Sequence, residues 1–237
     1  MDNPGYVTLT RQSGLMREMQ VIAHNLANAT TTGFRREGVI FSEYVRGLAG
    51  QEAPLSMAAA NARQTFLTQG GLSQTDGALD LAIEGPGFFR IATEQGERLT
   101  RAGHFALNAE GEIVTPDGFR LLDDGGAPIQ VPPGATLTVS RDGTIAADGQ
   151  PVGSLTPVAP EDPADIRRQA GALFEPTGPV APVEGATVLQ GFLEDSNVSP
   201  IAEMARMIAV QRAYEAGQAF LDREDQRVRT VIQTLSR

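Results

Sequence analysis

The chain of 237 residues contains no cysteine, no tryptophan and no lysine. Without thiols it forms no disulfide, iron–sulfur cluster, thiolate zinc site or cysteine nucleophile. The redox compartment stays open, because a thiol-free chain is safe anywhere. Aromatic residues make up 5% of the chain and only three are tyrosine, so platforms for stacking sugars are scarce. Positive charge is also short: 19 bases, all arginine, stand against 29 acids, for a net charge of −10. With no basic run, nucleic acid is not expected as a partner, and neither is a polybasic membrane anchor. No segment approaches the ~20 apolar residues that span a bilayer. The opening MDNPGYVTLTRQ lacks the basic start and apolar run of a Sec-type signal. The expectation is a soluble protein, or one exported without a conventional signal.

What is present, 41% hydrophobic and 20% charged residues, suffices for one sizeable core or two smaller ones. The ends differ from the middle. Residues 1–49 hold four acids and five arginines, and residues 199–237 hold five acids and six arginines. The 20 acids and 8 arginines left between them put the acidity in the interior of the sequence, where Gly and Pro also concentrate.

The first segment reads as a helix from about Tyr6 to Asn28. Leu15, Met19, Ile22, Leu26 and Ala29 alternate by four and three and so share one stripe, which weakens at Thr8 and Gln12. Pro4 and Gly5 mark its start; Thr30, Thr31, Thr32 and Gly33 end it. The last segment is the longest periodic run. Ser199 suits an N-cap, Pro200 the first helical position, and Glu203 lies near the capping-box site. Met207, Val210, Tyr214, Gly217, Leu221, Glu224, Val228, Val231 and Leu235 form a heptad-like seam with two weak positions, Gly217 and Glu224. A rod of ~37 residues reaches ~55 Å and needs a partner helix, for which the N-terminal stripe is the candidate.

The middle reads as β structure. Asp76-Gly77, Glu110-Gly111, Asp117-Gly118, Asp124-Gly125, Asp142-Gly143 and Asp148-Gly149 recur between short apolar or β-branched runs. That pattern indicates an antiparallel sandwich or irregular barrel. Residues 156–187 read as a looser Pro- and Ala-rich stretch, and Gln51 to Ala62 as helix or extended linker. The fold class expected is therefore α+β. The N- and C-terminal helices (1–36 with 197–237) pair as a coiled-coil-like layer, 37–77 form a linker or extended segment, and 78–196 form an inserted, mostly antiparallel β domain.

No catalytic set assembles from the residue types. His24 and His104 lie far apart without a third ligand beside them, so no metal site is expected. Ser13-Gly14 lacks the strand–turn–helix setting of a nucleophile elbow. Gly85-Pro86-Gly87 meets Arg90 where a dinucleotide fingerprint needs glycine. The acid pairs Asp123/Asp124, Glu161/Asp162 and Glu194/Asp195 read as solvated loops rather than a glycosidase pair. No enzymatic activity, cofactor or small-molecule substrate is expected. The rival reading is a carbohydrate-binding or -processing β domain on a helical stalk, which needs an exposed aromatic groove.

The most specific signal closes the first helix: His24-Asn25-Leu26-Ala27-Asn28-Ala29-Thr30-Thr31-Thr32-Gly33-Phe34-Arg35-Arg36. Asn and Thr side chains bond exposed backbone groups at a helix end, Gly33 reverses the chain and Phe34 docks back. With Arg11-Gln12-Ser13-Gly14-Leu15, it resembles the N-terminal signature of the flagellar basal-body rod protein family, which also includes the hook protein. Gln69-Gly70-Gly71-Leu72, Leu79 through Phe89, Arg101-Ala102-Gly103-His104-Phe105, Leu193 through Val198 and Gln211-Arg212-Ala213-Tyr214-Glu215 are similar to other motifs of that family. The opening is most like its proximal-rod members, with distal-rod members as the alternative; the length leaves no room for the extra domains of the hook protein.

The resemblance implies a subunit exported through the flagellar type III apparatus without a cleaved signal and placed in the periplasm-spanning rod. Its partners would be copies of itself, other rod subunits, and adjacent ring or export-apparatus components. It assigns assembly to the stripe Leu15, Met19, Ile22 and Leu26, to Asn25, Asn28, Thr31, Thr32, Gly33 and Phe34 of the signature, and to Met207, Val210, Tyr214, Leu221, Val228, Val231 and Leu235.

Overall fold

The computed structural model describes residues 3–46 and 55–235. They group into two compact units: those within 1–27, 36–66 and 199–237 in one, those within 28–35 and 67–198 in the other. The class is α+β, with two helices and many strands, and every strand pairing found is antiparallel.

The first unit is built on α1 (Asn3–Ala27) and α2 (Pro200–Leu235). Pro4 falls in the first turn of α1, where its missing N–H has no intrahelical partner to lose. After Pro200, α2 contains no proline, so its 36 residues run for about 54 Å. Between the helices in sequence, β1 (Glu37–Arg46) and β2 (Leu55–Thr65) pair as a two-stranded ribbon packed on α1. The register slips once: Ile40 faces Ala62 and Phe41 faces Ala60, which leaves Asn61 as a bulge. Within 37–77, read as linker or extended segment, the described residues carry both ribbon strands and Leu72–Gln74. Of the stretch from Gln51 to Ala62, read as helix or extended linker, 51–54 lie outside the described residues and the rest is extended, as strand. A ribbon of two strands holds poorly alone, and packing on α1 supplies the burial it needs.

The second unit holds the other strands. A seven-stranded sheet runs in the order Ile166–Arg168, Leu173–Pro176, Gly96–Thr100, Phe89–Thr93, Arg120–Leu121, Ile113–Val114 and Ala106–Leu107. A three-stranded meander joins Leu137–Val139, Thr144–Ala147 and Gln150–Ser154. Its tight turn is Asp148-Gly149, both with positive φ (49° and 79°). A two-residue hairpin loop demands that backbone, which Asp tolerates and Gly favours. Short pairs complete the unit: Leu81–Glu84 with Thr187–Gln190, Leu72–Gln74 with Phe192–Glu194, and Val158–Pro160 with Val180–Pro182.

The main core gathers Leu81, Ile83, Phe89, Ile91, Phe105, Ile113, Leu121, Ile129 and Ile145, with Phe89 and Phe105 edge to face at 5.6 Å. Each such side chain contributes about 1.5–3 kcal/mol by leaving water. A second cluster holds Phe88, Leu99, Val158 and Phe174. Val158 and Phe174 come from the stretch read as loose; 156–187 instead supplies four strands and part of a core. Pro160, Pro176 and Pro182 of this stretch lie at strand ends, where no ladder donor is required.

Candidate assembly site

Helix α1 buries polar residues against α2, and each has a partner there. Gln12 donates its side-chain amide to the Tyr214 carbonyl at 2.8 Å. A Cβ at Gly217 would collide with that amide, so the glycine makes room for the lock. Glu18 receives Arg206 at 2.8 Å. The pairs Gln12 with Tyr214, Glu18 with Arg206 and Asn25 with Glu203 fix the helices antiparallel. The buried face of α1 is accordingly Gln12, Gly14, Glu18, Val21, Ile22 and Asn25. Of the predicted stripe, Ile22 lies on it, while Leu15, Met19 and Leu26 flank it half-buried. On α2 the half-buried or buried positions Met207, Val210, Tyr214, Gly217, Leu221 and Glu224 keep the seam's phase, while Val228, Val231 and Leu235 are exposed. Leu15, Val7 and Phe220 line a groove of about 400 Å³ between the helices, flanked by Arg11 and Arg223.

At the C-terminal end of α1, Asn25 clamps the start of the ribbon. Its amide accepts from Glu37 N–H at 2.9 Å and donates to the Glu37 carbonyl at 2.8 Å, imitating a strand partner. The same nitrogen lies 3.2 Å from Glu203, whose other oxygen takes Arg36 Nε at 2.6 Å. Arg36 also stacks on Phe66, 4.8 Å from the ring centroid. Glu203 is thus the buried acid of a polar cluster; its carboxylate serves Arg36 and Asn25 rather than a capping box. His24 Nδ1 stands 3.3 Å from the Glu37 carboxylate, which also faces Arg63 at 3.7 Å.

The rest of the signature belongs to the second unit. Thr31 closes the turn on Asn28, through its N–H to the Asn28 carbonyl (3.1 Å) and through its hydroxyl (3.2 Å). Gly33 adopts φ +67° and donates to the Glu194 carbonyl at 2.7 Å; a Cβ there would strike the Arg101–Ala102 backbone. Phe34 is fully buried and Thr32 lines a nearby pocket with Thr31. Arg35, also fully buried, meets Glu194 at 2.6 Å. Arg101 meets the other Glu194 oxygen at 3.0 Å, and Gly70 N–H donates to the carboxylate at 2.8 Å. Burial pushes the Arg101 guanidinium down to about 10; Glu194 pulls it back up, and Arg35 adds to the fall. Arg168 lies between Phe34 and Phe174, 4.5 and 4.8 Å from their centroids, and donates to the Arg35 carbonyl. Glu194, read as part of a solvated acid pair, is wholly buried, while its neighbour Asp195 is exposed.

The predicted residues therefore fall in two places. Leu15, Met19, Ile22, Asn25, Leu26, Met207, Val210, Tyr214, Leu221, Val228, Val231 and Leu235 belong to the helical unit; Asn28, Thr31, Thr32, Gly33 and Phe34 belong to the β unit. Sequence reasoning passed over the buried polar partnerships of Gln12, Glu18, Arg206, Arg101, Glu194 and Glu203. The available signal was the pair Arg35-Arg36, two adjacent cations beside an apolar residue that need acids somewhere. Among the described residues no group of three or more His, Asp and Glu could hold a metal ion. The rings of Phe88, Phe89, Phe105 and Phe174 are buried in the β cores.

In sequence, known proteins are similar to this chain along its whole length. The family model described as "Flagellar hook protein FlgE/F/G D1 domain" matches residues 82–147, and "Flagellar basal body rod FlgEFG protein C-terminal" matches 189–234. The flagellar basal-body rod protein FlgF of Caulobacter vibrioides is 37% identical over 244 residues, covering 100% of this chain and 99% of the relative. FlgF of Mesorhizobium japonicum is 37% identical over 227 residues, 93% of this chain and 92% of the relative. The rod protein FlgG of Agrobacterium fabrum is 30% identical over 260 residues, 97% and 98% of the two chains.

Proposed function

The chain belongs to the flagellar basal-body rod protein family, and we propose that it is a subunit of the proximal rod, self-assembling through its terminal helices. The FlgF relatives at 37% identity favour the proximal position over the distal one, for which FlgG at 30% stands. One observation carries the assembly reading: the apolar seam on α2 continues past its partner helix as exposed Val228, Val231 and Leu235. A soluble chain keeps a helix face of that kind when other subunits cover it.

The helix pairs lie side by side with those of neighbours and form a continuous layer of the shaft. The near-neutral terminal segments allow many copies to crowd without strong repulsion. Torque passes through this layer, since slip between subunits requires repacking every seam at once. Export through the flagellar type III apparatus into the periplasm fits a chain without cysteine, and copies of itself, other rod subunits and adjacent ring or export components are its partners.

Deletion of the gene, followed by imaging of basal bodies by cryo-electron microscopy, tests this. The expected result is loss of motility and of the rod beyond its base, restored by the tagged chain, with the tag in the proximal rod. Complete rods without the chain, or the tag outside the basal body, overturn the proposal.

A further inference from the structure

Helix α2 runs on where α1 ends. Phe220 and Arg223 share a groove with Val7 and Thr8. The antiparallel register thus brings Asn3, the first described residue of α1, level with the region of Glu224. Among the described residues, roughly ten residues of α2, about 15 Å of helix, continue without a partner helix. In that overhang Val228, Val231, Ile232 and Leu235 are 46%, 47%, 60% and 82% exposed. Val228 and Leu235 stand one and two heptads beyond Leu221, on the face that α1 covers farther back. The flanking cations are already matched within the helix, Arg227 by Glu224 and Arg229 by Asp225, each at 2.8 Å. Covering the apolar face therefore strands no lone charge beside it.

Helix α1 carries a second uncovered stripe. Leu9 and Met16 are 54% and 43% exposed and lie one heptad apart, turned away from the face of Gly14, Glu18 and Asn25. The spacing equals that of Val228 and Leu235. The chain's own overhang cannot reach this stripe, because it points past the start of α1. The covered part of the α2 seam is served by an α1 helix throughout, and the uncovered part continues that interface.

We infer that the overhanging end of α2 docks on the Leu9–Met16 stripe of the α1 helix in a second copy of this chain. The inference rests on the rod reading and specifies its contact. The two patches differ, so the contact is head-to-tail: each copy offers one of each, and the series extends instead of closing as a dimer.

The absence of cysteine makes introduced thiols unique. Basal bodies are isolated from strains whose sole copy carries Met16→Cys with either Val228→Cys or Leu235→Cys, the two pairs reading the two directions the overhang can take. All three positions are exposed, and purified variants are first checked for an unchanged melting temperature. Mild oxidation should yield a reductant-sensitive ladder at multiples of the chain mass from one of the two pairs, and none from any single variant. Basal bodies that contain the chain but give no ladder overturn the contact and leave the rod reading intact. So does a ladder from Ile208→Cys with Val228→Cys in place of the Met16 pairs, a dimer from a single overhang cysteine, or a product only with a different rod protein. Absence of the chain from basal bodies overturns the rod reading and this contact together.

Discussion

Arg35 and Glu194 form an ion pair at 2.6 Å with neither side chain exposed to solvent. The next residue, Arg36, meets a second buried acid, Glu203, at the same distance. Adjacent cations of one signature are thus matched by acids nine positions apart near the other end of the chain. Each pair lies within its own unit. The signature is therefore a closing device: it finds its partners only after nearly the whole chain has been made.

Removing one acid should expose the stakes. Glu194→Gln leaves Arg35 and Arg101 facing each other in a buried site without a counter-charge. Breaking a buried pair in this way costs about 3–5 kcal/mol. Urea denaturation of the purified chain should show the β unit's midpoint lowered accordingly; an unchanged midpoint contradicts the account of the cluster.

Gly33→Ala tests the backbone beside it. The left-handed φ of +67° strains any other residue by about 1–3 kcal/mol, and the added methyl meets the Arg101–Ala102 backbone, which cannot swing aside. A fall in melting temperature larger than that of Gly118→Ala is expected, since Gly118 has a similar φ but open space. Equal effects at the two glycines would show that the collision is relieved elsewhere.

Much of the fold is legible in the sequence. The Ser199-Pro200 start and uninterrupted three-four repeat announce α2, because its seam is apolar and local. Asp148-Gly149 announces its hairpin for the same reason: the turn's demand is met by the two residues themselves. The phase of α1 was harder. Gln12, Glu18 and Asn25 are buried, but a periodicity that counts polar residues as outward shifts the stripe by one position. Their partners Tyr214, Arg206 and Glu203 lie far away in sequence. The ribbon was hidden by composition: β2 is rich in alanine, a helix former, and its strand state is imposed by pairing with β1 and packing on α1. Glu194 read as a surface acid because nothing local betrays a partner 159 residues away.

Asp80 gives a pH-dependent handle on the β unit. Burial raises its pKa, but the hydrogen bonds from Thr75 and His104, each at 2.6 Å, and the His104 charge outweigh that and hold the carboxyl below 3.8. The stability this contributes is therefore full above about pH 4 and lost as the pH falls further. Asp80→Asn should be less stable than the parent at pH 6, with the gap narrowing by pH 3. A gap independent of pH, measured by denaturation midpoints, contradicts the assignment.

The overhang of α2 should be the first point of attack in dilute monomer. Its apolar side chains are exposed, so its backbone opens by local fraying. Brief trypsin treatment should cut after Arg227 and Arg229 while residues 67–198 survive intact, as mass spectrometry would read. Cleavage within 67–198 before the overhang is lost would show that the β unit is the weaker part.

Val228→Asp separates folding from assembly. Val228 is exposed in the single chain, so the substitution should leave the monomer within about 0.5 kcal/mol of the parent. In the proposed rod contact the same carboxylate would be buried among apolar groups without a partner, at a penalty of several kcal/mol. Leu221→Asp differs, because Leu221 is already half-buried in the monomer; it should weaken the helical unit as well as block assembly. Motility in soft agar and thermal melting of purified protein, read on both variants, distinguish the cases. A motile Val228→Asp strain would mean that the end of α2 stays in solvent in the rod, and that the exposed continuation of the seam is not a contact at all.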